Sequence, residues 1–74
     1  MEQKVLEIIN EIRIAKELVP VKTINTETKL REDLNLTSFD LAELTVKLED
    51  EFDIDVFEDG LVNTVGEIIS KLEA

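Results

Sequence analysis

The chain has no cysteine, histidine, tryptophan or tyrosine, a single proline, two glycines, and only eight basic residues against eighteen acids. Each scarcity excludes something. Without cysteine there is no disulfide, no thiolate metal site and no protein thiol. Without histidine the commonest general base and metal ligand is missing. A chain this poor in catalytic side chains reads as a platform rather than an enzyme. The scarcity of glycine and proline leaves little turn chemistry and favours helices. A formal charge of −10 argues against nucleic acid and anionic membranes, which attract basic surfaces, and for partners that present Lys and Arg. No apolar run approaches the ~20 residues of a membrane span. The start Met1-Glu2-Gln3-Lys4 lacks the apolar core of a signal peptide, so a cytoplasmic protein without membrane insertion is expected.

What is present is a supply of long aliphatic side chains: 43% of the 74 residues are apolar, enough for one small core and a single domain over 1–74. The spacing predicts a first helix from about Glu2 to Glu17, with Val5, Ile8, Ile9, Ile12 and Ala15 as its buried stripe and Ile14 on the other side. Pro20 pushes the residue before it out of helical geometry and should end that helix. A long connection follows from Val21 to Asn35, which Ile24, Leu30 and Leu34 should pin to the core. Connections this long in small domains are often functional. Near the end, Thr64 and Glu67 form a capping box ahead of Val65, Ile68, Ile69 and Leu72 at i, i+3, i+4, i+7 spacing.

The organising stretch lies between these helices. Thr37 can act as an N-cap, with Asp40 completing a capping box, and this places Ser38 at the first helical position. A hydroxyl there stands in solvent beside unpaired backbone N–H groups and the positive end of the helix dipole, where anions are favoured. At about 100° per residue, the helix from Ser38 to Phe52 turns Leu41, Leu44, Thr45, Leu48 and Phe52 to one face. Phe39, Ala42 and Val46 fall roughly opposite, among the carboxylates Glu43, Glu49, Asp50 and Asp53. Apolar residues set among acids on an outer face suggest a docking surface, and Asp40, Glu43, Glu49 and Asp50 are expected to concentrate charge on its solvent side.

These residues carry a family resemblance. The pattern D-L-x-x-x-S-x-D-x-x-E-L-x-x-x-L-E-x-E-F-D-I, running from Asp33 to Ile54, is similar to the acyl carrier proteins around the serine that takes 4′-phosphopantetheine. The Thr64-Val65-Gly66-Glu67-Ile68-Ile69 segment resembles the start of that family's last helix. The resemblance implies an all-α fold: a small acyl-carrier-like bundle of three main helices plus a short or vestigial helix at 57–62. It implies that a phosphopantetheinyl transferase moves the arm from coenzyme A to Ser38, and that acyl groups ride on the arm as thioesters. Thr37, Phe39, Asp40, Ala42, Glu43, Val46, Glu49 and Asp50 would then meet acyl-transferring and synthase enzymes with basic docking patches, and the carrier would be a monomer. Two departures stand out. The family's Pro is absent from Phe57–Val62, a segment that is also about two residues shorter than in the family. The usual Asp-Ser-Leu is here Thr37-Ser38-Phe39, which keeps the cap but removes a charge and enlarges the contact beside the serine.

Other chemistries fit poorly. A calcium loop starting at Asp33 puts Ser38 where glycine is needed and Leu44 where the bidentate Glu belongs, and a register from Asp53 ends on Thr64. No metal site is expected, beyond loose divalent binding among the helix carboxylates. As a nucleophile Ser38 lacks a base, and paired carboxylates for glycoside chemistry would need a cleft this chain can hardly build. The carried intermediates would belong to fatty-acid synthesis or to a specialised acyl (polyketide-like) pathway, with Thr37 and Phe39 arguing against general fatty-acid enzymes. The alternatives are an aminoacyl or peptidyl carrier of a dedicated pathway and an unmodified acidic helical adaptor.

Overall fold

The computed structural model describes residues 2–58 and 60–73. It contains three helices, α1 (Glu2–Ala15), α2 (Ser38–Phe52) and α3 (Val65–Glu73), and among the described residues no strand, only an isolated antiparallel bridge between Lys29 and Thr64. Alpha-helical architecture is what the sequence pattern predicts. Val5, Ile8, Ile9 and Ile12 from α1, Leu41, Leu44 and Leu48 from α2, and Val65, Ile68, Ile69 and Leu72 from α3 meet in one buried cluster. Leu30, Leu34, Leu36, Val56 and Val62 complete it from the connections.

Helices α1 and α2 run antiparallel, as their cross-helix pairs record. Lys4 near the start of α1 reaches Glu51 near the end of α2 at 3.9 Å, Lys47 reaches Glu11 at 3.2 Å, and Lys16 just past α1 pairs with Asp40 in the first turn of α2. The first two pairs are largely solvated and contribute little to stability. The third is mostly shielded from water.

The end of α1 differs from expectation. The helix stops at Ala15, not near Glu17, and Ala15 is exposed rather than part of the core stripe. A Schellman turn stops it before Pro20 acts: the Leu18 N–H reaches the Arg13 carbonyl at 2.9 Å and the Glu17 N–H reaches that of Ile14 at 2.9 Å. Glu17 takes the left-handed conformation this motif requires, at φ 65°. No glycine or asparagine marks the position, so the sequence carries no stop signal there.

The long connection is held by three polar side chains of α1 and its C-terminal turn, spaced three apart. Asn10 clamps Val21, donating to its carbonyl at 2.9 Å and accepting from its N–H at 2.9 Å. Arg13, only 8% exposed, donates to the Val19 carbonyl through Nε at 3.1 Å and Nη2 at 2.8 Å, and to the Leu34 carbonyl through Nη1 at 2.6 Å. Lys16 donates to the Asn35 carbonyl at 2.9 Å as well as to Asp40. Among the described residues no buried side-chain nitrogen or oxygen is left without a partner. Ile24, Leu30 and Leu34 do pin the connection, the first half-buried and the other two fully buried.

In the 57–62 segment no helix forms among the described residues; Asp59 lies outside them. The chain makes turns instead. The Phe57 N–H bonds to the Asp55 carboxylate at 3.0 Å, and Gly60, at φ 130°, donates to the Phe57 carbonyl at 3.1 Å. Val56 and Val62 are both buried and anchor the segment on either side. The positive φ of Gly60 is incompatible with a continuing helix.

The start of α3 is stitched to the connection. The Leu30 N–H bonds to the Asn63 carbonyl at 2.9 Å, the Val65 N–H to that of Thr28 at 2.9 Å, and the Gly66 N–H to that of Thr26 at 3.1 Å. This approach leaves no room at Gly66, where a Cβ would stand 2.7 Å from the Thr26 carbonyl oxygen and 2.9 Å from its Cβ. Replacing a helical glycine by alanine ordinarily stabilises by up to about 1 kcal/mol. Here Gly66→Ala should instead destabilise by about 1–3 kcal/mol, because backbone must shift to admit the methyl group. Chemical denaturation of the two proteins checks the sign, and a stabilised variant would mean that the 26–30 segment yields freely.

Candidate functional site

The site is built on the capping box of α2. Thr37 adopts an extended backbone (φ −89°, ψ 174°), its hydroxyl accepts from the Asp40 N–H at 3.2 Å, and the Asp40 carboxylate accepts from the Thr37 N–H at 2.8 Å. Ser38 follows as the first helical residue and is exposed. The local pattern alone therefore puts its hydroxyl at the helix start. At the other end Asp53 closes the helix in the left-handed conformation (φ 60°), its N–H bonding to the Glu49 carbonyl at 2.7 Å.

Asp40 requires a correction. It does not lie on the solvent side of α2: it is only 6% exposed. One carboxylate oxygen accepts from the Thr37 N–H, the Thr37 hydroxyl and Lys16. Burial by itself would raise its pKa. The hydrogen bond from Lys16, the two bonds from Thr37 and the Lys16 charge outweigh that and hold the carboxyl below its ordinary value. The periodicity places Asp40 toward the outer face, but the end of α1 and Lys16 cover it. Its charge is a structural anchor for the serine-bearing turn, not part of an exposed docking field.

The other expected contact residues are exposed: Thr37, Ala42, Glu43, Glu49 and Asp50, with Phe39 at 82% and Val46 at 67%. Leu44 and Leu48 lie fully inside on the opposite face. The outer surface of α2 thus combines apolar residues with free carboxylates, as its sequence suggests. Among the described residues no three acids gather into a group that could hold a metal ion.

One residue that sequence reasoning missed touches the serine. The Arg31 guanidinium donates through Nη2 to the Ser38 hydroxyl oxygen at 2.7 Å. A compact turn carries Arg31 back to this point. The Asp33 N–H and Leu34 N–H both bond to the Lys29 carbonyl, at 3.0 and 3.2 Å, the Asn35 N–H bonds to that of Arg31 at 3.1 Å, and the Leu36 N–H to that of Leu30 at 3.1 Å. The Asp33 carboxylate accepts from the Lys29 N–H at 2.8 Å, and Asn35 takes a left-handed φ of 59°. Arg31 and Ser38 are seven residues apart, but the chain between them forms a turn and not a helix, so no regular period announces the contact in the sequence.

The depressed pKa of Asp40 gives a sign for pH. A carboxyl held below its unfolded value contributes stability that is full above that value and is lost as pH falls through the folded one. Asp40→Asn should therefore cost about 1–2 kcal/mol at pH 7, from the lost charge-assisted bonds and the weakened cap. The gap to the wild type should shrink as pH drops below the ordinary 3.8 toward the folded value. Denaturant titrations of both proteins at pH 7 and in acid measure it. A gap of equal size at both pH values would contradict the assignment.

Comparison with known proteins agrees with this geometry. Residues 3–72 match the family model described as a phosphopantetheine attachment site. The chain is similar to acyl carrier protein 3 of Ralstonia nicotianae, 37% identical over 57 residues that cover 74% of this chain and 66% of that protein. It is similar also to the mitochondrial acyl carrier protein of Saccharomyces cerevisiae, 34% identical over 56 residues that cover 76% of this chain and 45% of that protein. The match thus spans about two thirds of the length of the first and under half of the second. No solved structure matches the chain significantly.

Proposed function

This chain belongs to the acyl carrier family, which is marked by a phosphopantetheine attachment site, and we propose that it works as a single-domain, monomeric carrier with Ser38 bearing the 4′-phosphopantetheine arm. The observation that carries this reading is the exposed Ser38 hydroxyl at the start of α2, inside the matched span. The other serine, Ser70, sits within α3, away from any helix start. The surroundings of Ser38 fit a phosphate ester: unpaired N–H groups at the helix start, the Arg31 guanidinium, and no adjacent acid in the Thr37 position. The arm supplies the thiol that the protein lacks, on which acyl groups are held as thioesters.

Attachment is a balanced transfer. The Ser38 Oγ–P bond forms as the diphosphate of coenzyme A breaks, adenosine 3′,5′-bisphosphate leaves, and the serine proton passes to the phosphopantetheinyl transferase. This chain contributes an exposed nucleophilic oxygen fixed by the Thr37–Asp40 cap, and the transferase supplies the base. A carrier needs no catalytic group of its own.

Partners are proposed to be the transferase and acyl-transferring or synthase enzymes, which would dock on Phe39, Ala42 and Val46 within a rim of Glu43, Glu49 and Asp50. Cytoplasmic residence belongs to the same proposal. The yeast relative is mitochondrial by name, and among the described residues no helix is long and apolar enough to cross a membrane. Phe39 beside the arm, in place of a smaller aliphatic residue, favours a specialised acyl or polyketide-like pathway over general fatty-acid synthesis.

Incubation with coenzyme A and a promiscuous transferase should add one phosphopantetheine to the wild type and none to Ser38→Ala, read by intact mass. An unchanged wild-type mass would sink the carrier reading in favour of an acidic adaptor. Docking has its own test. Glu43→Lys should lower the on-rate of a cognate enzyme far more than it changes the off-rate, because exposed charge acts mainly on encounter. Val46→Ala should shift stability by only about 0.5 kcal/mol, as surface changes do, yet impair transfer. Leu44→Ala should cost about 2–5 kcal/mol. Stopped-flow binding and thermal melts separate these outcomes, and normal transfer by Val46→Ala would return the outer stripe to ordinary surface.

A further inference from the structure

Eight basic residues share this chain with eighteen acids, and several of the cations are engaged. Lys4, Lys16 and Lys47 each pair with a carboxylate. Arg13 is buried against the Val19 and Leu34 carbonyls. Arg31 is different. Among the described residues no carboxylate lies within ion-pair distance of its guanidinium, and its side-chain hydrogen bond goes to a neutral oxygen, the Ser38 hydroxyl at 2.7 Å.

That contact is held in place from below. Leu30 and Leu34, on either side of Arg31 in the turn, are 0% and 2% exposed and fix the turn to the core, while Arg31 itself is exposed. Two nearby acids are engaged elsewhere, and the adjacent Glu32 is exposed and makes no ion pair with Arg31. Asp33 is bonded to the Lys29 N–H and Asp40 is turned inward to Thr37 and Lys16. A neutral hydroxyl is a weak partner for a guanidinium. A phosphodiester on the same oxygen brings a full negative charge and two non-bridging oxygens, which match the fork of N–H donors.

We propose that Arg31 is the phosphate-pairing residue of the loaded protein, binding the diester at the root of the arm and tying it to the 29–34 turn. This rests on Ser38 as the attachment point. Arg31 is a positioning residue: it holds the anchor of the arm, leaving the chemistry at the far end to partner enzymes. It also offsets the charge that loading adds to a chain already at −10.

The test loads the wild type, Arg31→Lys and Arg31→Gln with coenzyme A and a promiscuous transferase until intact mass shows complete conversion. The loaded and unloaded forms are then melted, and the ³¹P resonance of each loaded form is recorded. At low ionic strength, loading should shift the Tm of the wild type upward relative to the shift in Arg31→Gln by about 2–4 °C, as expected for a solvent-exposed charge pair in a small domain. The difference should fade at about 1 M salt, where the Debye length shrinks to about 3 Å. Arg31→Lys should recover part of it, having the charge without the fork. The ³¹P resonances of wild type and Arg31→Gln should differ at low salt and converge at high salt. Unloaded Arg31→Gln should melt like the unloaded wild type, since no core contact is lost. Equal loading shifts and equal ³¹P resonances in wild type and Arg31→Gln would overturn the role of Arg31 while leaving Ser38 as the attachment site. A wild type that never gains the arm would overturn both.

Discussion

The architecture depends on one polar row. Asn10, Arg13 and Lys16 follow one another at intervals of three along α1 and its C-terminal turn, and between them they bind Val21, Val19, Leu34, Asn35 and Asp40. A connection as long as residues 16–37 must find partners for its backbone groups without a sheet or a helix to supply them. The clamp supplies several at once. Two of its members are cations, so these are charge-assisted bonds to carbonyls, stronger than neutral ones. Lys16 carries the effect furthest, because its pairing with Asp40 joins the end of α1 directly to the cap that orients Ser38.

Seen this way, the serine is fixed from both sides of the chain. Locally, Thr37 and Asp40 exchange hydrogen bonds and set where α2 begins. At long range, Lys16 and Arg13 hold the residues that lead into it. Under the proposed function this rigidity would be useful, because partner enzymes would find the same geometry at Ser38 on each visit while the arm itself moves. The exposed outer face of α2 makes no demand on the core, since Leu41, Leu44 and Leu48 bury the opposite face, which leaves it available for the proposed docking.

Acidity and the basic residues divide the same labour. Free carboxylates such as Glu43, Glu49 and Asp50 remain on the surface, where they can act over distance on approaching cations. The few cations are used at close range instead: Arg13 inside, Lys16 at the cap, Arg31 against Ser38. With so few positive charges, each placement matters structurally, and an exchange of lysine for arginine at these positions would not be neutral.

How much of this was legible in the sequence follows from the range of each interaction. The α2 helix, its capping box, the second box at Thr64 and Glu67, and the split between Leu44 and Val46 faces all depend on residues within a turn or two of one another. A capping box spans three residues and a helical face repeats every three or four, so composition and spacing were sufficient to determine them. Ser38 at the helix start came from the same local logic. The tertiary structure decided what depends on distant partners. Asp40 reads from periodicity as an outer charge, and only the approach of Lys16, 24 residues earlier, makes it a buried anchor. Arg13 sits within an aliphatic stripe with no local sign that carbonyls of Val19 and Leu34 await it. The end of α1 was set by a left-handed Glu17 where no residue preference announces one, and Gly66 has no room for a side chain only because Thr26 is packed against it. Short-range order is written in neighbouring residues because their geometry is fixed by the backbone. Which charge meets which carbonyl is fixed only when the hydrophobic core closes and brings separate segments together.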